Sequence, residues 1–206
     1  MGHDLRGPLV VVRNAVNLAR QNPEKTDRML DMIERNTGQA IDILEELWTM
    51  TRNEPVSLKP VEIEKFLRKI TEDLILPTGV GLSLEIDEDL QEIALDETKT
   101  VRALKNIIQN AIDAMPDGGV LKIEATSKDD QVVISVSDTG TGITDEARRN
   151  LFKPFYTTKP KGMGLGLAST RRMVEVQGGT ISFESKDGKG ATFAITLPLK
   201  EKNPKQ

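Results

Sequence analysis

Residues 106–115 read Asn106-Ile107-Ile108-Gln109-Asn110-Ala111-Ile112-Asp113-Ala114-Met115. On a helix turning ~100° per residue, Val101, Leu104, Ile108, Ala111, Ile112 and Met115 gather on one face. Asn106, Asn110 and Asp113 fall on the opposite face, close to one another. Asparagine is a mediocre helix former, and a solvated face more usually carries Lys, Glu or Gln. Two accounts fit the stripe. It is a plain solvent-facing surface, or its amides offer oxygen to a hard cation and NH₂ to a phosphate.

Around this helix, short β-branched or alternating runs predict strands over 56–61, 82–86, 120–125, 132–136, 180–185 and 192–197. Helical segments are expected at 62–74, 97–115, 144–151 and 165–177. Turn markers separate them: Pro77-Thr78-Gly79, Pro116-Asp117-Gly118-Gly119, Gly178-Gly179 and Asp187-Gly188. The last two strands should form a hairpin around residues 186–190. One sheet with helices on one face, an α/β sandwich over residues 55–200, accommodates the order best. Residues 201–206 are a polar tail, and no long-period repeat is present.

Upstream the period changes. Leu5, Leu9, Val12, Val16 and Ala19 make a heptad seam, broken at Asn22-Pro23. A second seam runs Leu30, Ile33, Thr37, Ala40, Leu44, Leu47, Thr51. Two seams joined by a short turn predict an antiparallel helical hairpin over residues 1–54. Met29, Met32, Ile41 and Trp48 are left on neighbouring faces, so pairing into a four-helix bundle by homodimerisation is expected, the alternative being a monomeric hairpin docked on its own second domain. The class is therefore α+β, a hairpin followed by a sandwich. Folding the hairpin about residue 23 leaves the end of the second helix without a partner, so the chain is expected to be N-terminally truncated.

Composition sets outer limits. The 206 residues carry a formal net charge of −4 and no cysteine. That argues against nucleic acid as a partner and excludes thiolate metal sites and disulfides. The longest apolar run, residues 9–12, is far short of the ~20 residues that span a bilayer. No membrane contact by these residues is expected, and a cytoplasmic location fits, either free or as the cytoplasmic portion of a longer, membrane-anchored sensor.

Four further stretches can carry chemistry. Ser135-Val136-Ser137-Asp138-Thr139-Gly140-Thr141-Gly142-Ile143 is a strand running into a glycine-spaced loop. Asp138 can accept a hydrogen bond from an exocyclic amine, and Gly140 and Gly142 let the backbone approach a flat ring. An ordinary strand-to-helix turn has the same composition. Lys161-Gly162-Met163-Gly164-Leu165-Gly166-Leu167-Ala168 opens a helix whose N-terminus can cradle phosphate. It matches neither the dinucleotide fingerprint nor the Walker motif. Phe152-Lys153-Pro154-Phe155-Tyr156-Thr157-Thr158-Lys159 reads as a hinged lid with a cation at its tip. The only histidine, His3, stands next to Asp4 in Gly2-His3-Asp4-Leu5-Arg6-Gly7-Pro8-Leu9, either as a nucleophile or as the remnant of a tag.

Taken in chain order, the five stretches resemble the H, N, G1, F and G2 boxes of sensor histidine kinases from two-component signalling, and the resemblance covers essentially the whole chain. It implies a phosphoacceptor and dimerisation hairpin, then an ATP-binding sandwich of the Bergerat type. It implies ATP and Mg²⁺ as cofactors, with His3 phosphorylated beside Asp4. Asn110 resembles the metal-binding asparagine, with Asn106 near the phosphates, and Asp138 the residue that reads the adenine amino group, with Gly140 and Gly142 lining the pocket. Gly162, Gly164, Leu165 and Gly166 resemble the lid base that wraps the triphosphate. Thr158 and Lys159 belong to a short lid of the kind whose lysine reaches the γ-phosphate, and Thr192 resembles the threonine supporting the adenine site. The implied partners are a second copy of the chain and a response regulator, whose aspartate takes the phosphoryl group.

Two positions depart from the pattern. Gly7 has no side chain where many relatives place Thr or Asn for the reverse, phosphatase reaction. Asp113 stands where many carry a basic or aromatic residue. The competing expectations are an ATP-binding pseudokinase acting as a dimeric scaffold, and another ATPase on the same sandwich.

Overall fold

The computed structural model describes residues 2–51, 55–90, 92–159 and 162–199; within the first two helices it describes the side chains of residues 6–38, 40, 41, 43 and 44. Helix α1, Gly2–Gln21, carries Pro8 inside it, and a single 3₁₀ turn at Pro23–Lys25 leads into α2, Thr26–Thr51. The two helices pack along each other, with Ala15, Met29, Ala40 and Ile43 buried. Trp48, the sole tryptophan of the chain, belongs to α2. No helix among the described residues is long and apolar enough to cross a membrane.

The sandwich begins with β1, Lys59–Glu62, and α3, Ile63–Glu72. Helix α3 buries Ile63, Phe66, Leu67 and Ile70, an apolar stripe at helical spacing. Strands β2, Val80–Ile86, and β3, Glu92–Leu95, precede the asparagine-bearing helix α4, Glu97–Asp113. Then come β4, Gly119–Lys128; β5, Gln131–Asp138; the single turn α5, Asp145–Arg148; α6, Gly166–Glu175; β6, Thr180–Ser185; and β7, Ala191–Pro198.

Among the described residues the main sheet has five strands in the order β2-β4-β5-β7-β6, with β2 parallel to β4 and the other pairs antiparallel. Strands β5 and β7 alternate strictly. Val132, Ile134 and Val136 face Phe193, Ile195 and Leu197 on the buried side, as a period of two demands. The other face carries half-buried polar side chains such as Ser135 and Ser137.

One expectation is corrected. Strands β1 and β3 form a separate two-stranded antiparallel ribbon rather than joining a single sheet. The run over 56–61 becomes a strand only from Lys59, because its partner β3 offers just four residues.

A buried polar knot fixes where α4 starts. Asp96 caps the helix by accepting from the Lys99 N–H at 3.1 Å, and its other oxygen accepts from the Ser57 N–H at 3.1 Å. Gln177, just beyond α6, accepts from the Asp96 N–H at 2.7 Å and from Thr100 Oγ1 at 3.3 Å, and donates to the Met173 carbonyl at 2.8 Å. Burial pushes the Asp96 carboxyl up, but the two N–H donors and the Lys99 ammonium outweigh it, and its pKa lies below the usual 3.8. The buried polar residues Asp96, Thr100 and Gln177 thus tie together the incoming chain, the head of α4 and the tail of α6.

Candidate functional site

A cavity of about 710 Å³ opens between α4, the loop after β5, residues 156–159 and 162–164, and the start of α6. Asp138 closes one end. Its buried Oδ1 accepts the Gly140 N–H at 2.8 Å and the Ala191 N–H at 3.3 Å. Burial raises its pKa above 3.8, and the two N–H groups offset only part of that. A carboxylate held this way is a selective acceptor for one amine or amide donor.

The glycines next to Asp138 are spatial necessities. A Cβ on Gly140 would run into the Ala114 carbonyl oxygen at the end of α4, which already accepts the Thr141 N–H at 3.0 Å. Gly190, at φ +82°, passes so close to the Asp138 carbonyl that no side chain fits. These contacts pin the loop between helix and sheet.

At the other end, α6 starts without a side-chain cap, so its first N–H groups face the cavity through Leu165 and Gly166. Gly166 allows α6 to come against Asn106, whose amide donates to the buried Thr170 hydroxyl at 2.8 Å. Asn106 therefore ties α4 to α6 as well as lining the cavity.

The segment carrying Thr157-Thr158-Lys159 hangs over α4. Its neck is closed by the Phe155 N–H donating to the Gly164 carbonyl at 2.8 Å. Phe155 takes a left-handed backbone at φ +67°, an unusual conformation for a bulky residue. Tyr156, the sole tyrosine, lines the cavity beside the neck. Below, Phe152 meets Phe183 edge-on with centroids 5.9 Å apart, and Phe183 stacks on Phe193 at 5.8 Å, so the lid is rooted in β6 and β7. At the tip, the Lys159 ammonium donates to Asn110 Oδ1 at 2.6 Å and Asp113 Oδ2 at 2.7 Å.

The fold thus brings Asn106, Asn110, Asp138, Gly142, Thr158, Lys159, Gly162, Gly164, Leu165 and Gly166 around one cavity. Gly140 does not line it and acts through its contact with α4. Thr192 does not line it either. It points to the opposite face of the sheet, where its hydroxyl pairs with that of Ser137 at 2.8 Å, and its neighbour Ala191 supplies the N–H to Asp138. His3 and Asp4 fall in the first turn of α1, and their side chains lie outside the described residues. Thr170, Ala191 and Gly190 escaped the sequence reading. Only the alternation of β7 could have pointed to Ala191, and nothing local marks Thr170.

The donor set suits a magnesium nucleotide better than a free-standing metal. Among the described residues no three His, Cys, Asp or Glu side chains converge on a metal position. Mg²⁺ commonly takes one or two protein oxygens and completes its shell with phosphates and water. Asn110 Oδ1 already receives a cation here, the Lys159 ammonium, so its lone pairs face positive charge.

Residues 95–201 match the family described as Histidine kinase-, DNA gyrase B-, and HSP90-like ATPase. The chain belongs to this family. Sporulation kinase C of Bacillus subtilis (strain 168) is 33% identical over 97% of the chain and 48% of that protein's length. The crystal structure of full-length ShkA in complex with AMPPNP superposes with a TM-score of 0.75 at 29% identity, covering 85% of this chain and 39% of that one. Histidine kinase ThkA in complex with response regulator protein TrrA shares the fold, with a TM-score of 0.77 at 22% identity over 98% of this chain and 60% of that one. The chain spans about half or less of the length of the curated relatives it matches. It carries the ATPase core of the family, with histidine kinases as its relatives.

Proposed function

We propose that the chain is an ATP-dependent protein-histidine kinase core that phosphorylates His3 and then passes the phosphoryl group to an aspartate of a response regulator. One observation carries the nucleotide half of this: a single cavity has a buried amine acceptor, Asp138, at one end and an uncapped helix start with an amide-bound cation at the other. That polarity matches a purine base at one end and a polyphosphate at the other.

In the reaction, a neutral imidazole nitrogen of His3 attacks the γ-phosphorus of ATP. The nitrogen–phosphorus bond forms as the bond to the β-phosphate oxygen breaks, and ADP leaves. Asp4 orients the ring and takes the proton from its other nitrogen. Asn110 is the residue to hold Mg²⁺, which when bound offsets charge on the triphosphate. Lys159 moves from the amide oxygen to the transferring phosphoryl group, and the first N–H groups of α6 hold the remaining phosphates.

A homodimer through residues 1–54 goes with this activity. Leu9, Leu18, Leu30, Ile41 and Leu44 stand exposed on the hairpin, more apolar surface than two helices can cover by themselves. A junction over residues 52–55, where the sandwich would swing toward the hairpin, lies outside the described residues apart from Pro55. A response-regulator partner goes with the fold shared with ThkA, a histidine kinase whose crystal structure holds response regulator protein TrrA. ATP as substrate fits a cytoplasmic location.

Incubation of the chain with γ-labelled ATP and Mg²⁺ should leave a base-stable, acid-labile label on the protein. His3→Ala should abolish the label and leave AMPPNP binding unchanged. Label persisting on His3→Ala would overturn the assignment. Released phosphate without labelled protein would favour a plain ATPase, and neither product would favour a scaffold.

A further inference from the structure

Lys159 occupies an informative place. Its ammonium sits on Asn110 Oδ1 and Asp113 Oδ2, two acceptors one turn apart on the same face of α4. Asp113 is itself held from behind, because Gln109 Nε2 donates to its other oxygen at 2.7 Å. The carboxylate is thereby turned so that Oδ2 meets the lid. A bare anion on this face opposes a triphosphate, so its presence asks for a reason that the bound nucleotide does not provide.

The oxygen taken by Lys159 is the one that the proposed reaction gives to Mg²⁺. Two cations cannot share it, since at such separations like charges repel strongly even with partial screening by water. We propose that Asp113 is a positioning residue for the lid: in the nucleotide-free protein it holds Lys159 on the Asn110 oxygen, and arrival of magnesium nucleotide exchanges one cation for the other and frees the lysine. Loading and lid release are then a single event. The lid stays folded over α4 while the site is empty, and the lysine is delivered only when a phosphoryl group is present to receive it. Without Asp113 the ammonium would rest on a neutral amide alone, a weaker seat.

Both side chains are partly exposed, at 43% for Lys159 and 37% for Asp113, so their replacement does not threaten the core. The inference rests on the reading of the cavity as a magnesium-nucleotide site, and amide hydrogen exchange separates the two. In the empty protein, Asp113→Asn should speed exchange at the Thr157, Thr158 and Gly162 amides by about fivefold, as expected for loss of one reinforced surface pair. Lys159→Met should do the same, and the double variant should show no more than either single change. With saturating Mg²⁺ and AMPPNP, Asp113→Asn should exchange like the unaltered protein at these amides.

Unchanged exchange in empty Asp113→Asn, additive effects in the double variant, or equal acceleration in the loaded protein would each overturn the latch. Failure of the unaltered chain to bind AMPPNP in a direct titration would instead overturn the nucleotide reading, while the empty-protein comparison still tests the pair.

Discussion

Asp138 and Asp96 are buried aspartates whose protons respond in opposite directions. Burial raises the pKa of Asp138, and the Gly140 and Ala191 N–H groups do not restore it. Its contribution to stability is therefore fully present below the ordinary 3.8 and is lost as pH rises through its raised pKa. An adenine amino group donates best to the ionised form, so nucleotide affinity should climb over the same interval in which this stability contribution falls. Calorimetric titration with AMPPNP from acid to neutral pH should show that climb. Asp138→Asn should flatten it and cost about 1–3 kcal/mol of binding, roughly 5- to 150-fold. Asp96 behaves oppositely. Its burial is outweighed by Ser57 and Lys99, so its contribution is present above 3.8 and lost as pH falls through its lowered pKa. Asp96→Asn should blunt acid denaturation without altering the pH dependence of nucleotide binding.

Helix α4 was the most legible element: its amide stripe lines the cavity, and Leu104, Ile108 and Ala111 of the expected apolar face are buried. The buried face nevertheless turns toward Ala103 and Ile107 and leaves Val101 and Ile112 half-buried, and the helix ends at Asp113, before Met115. The strands of the main sheet were legible by alternation, and so was the β6–β7 hairpin. The β1–β3 ribbon was not. Glu92–Leu95 is too short to show a period, and its buried Ile93 and Leu95 gain meaning only opposite Lys59–Glu62. Thr192 was misleading for a related reason, because a one-residue shift along a strand exchanges the two faces of the sheet. The role of Gly140 was legible only in part: the sequence marks a close approach, but the neighbour is the end of α4 rather than a ligand. Gly140→Ala should push a methyl group into the Ala114 carbonyl and lower stability by about 1–3 kcal/mol, measured by urea denaturation. Because the displaced loop begins at Asp138, the same variant should also weaken AMPPNP binding.

The main hydrophobic core runs from Ile63 to Leu197 and takes nothing from α1 or α2. Residues 55–199 should therefore fold without the hairpin and bind AMPPNP within about twofold of the whole chain, a difference small on the scale of 1.4 kcal/mol per tenfold. A thermal melt should show one cooperative transition for this piece. Loss of folding would mean that α2, which packs against α6, supplies stability beyond its share of the core. The two aromatic singletons of the chain give these parts separate optical signatures. Tryptophan occurs only at position 48, in the hairpin, and tyrosine only at 156, beside the lid neck. Red-edge ultraviolet excitation thus sees the hairpin alone, whereas phenol emission is confined to the nucleotide-binding half. Assembly and loading can each be followed by intrinsic fluorescence, with no dye attached and no residue replaced.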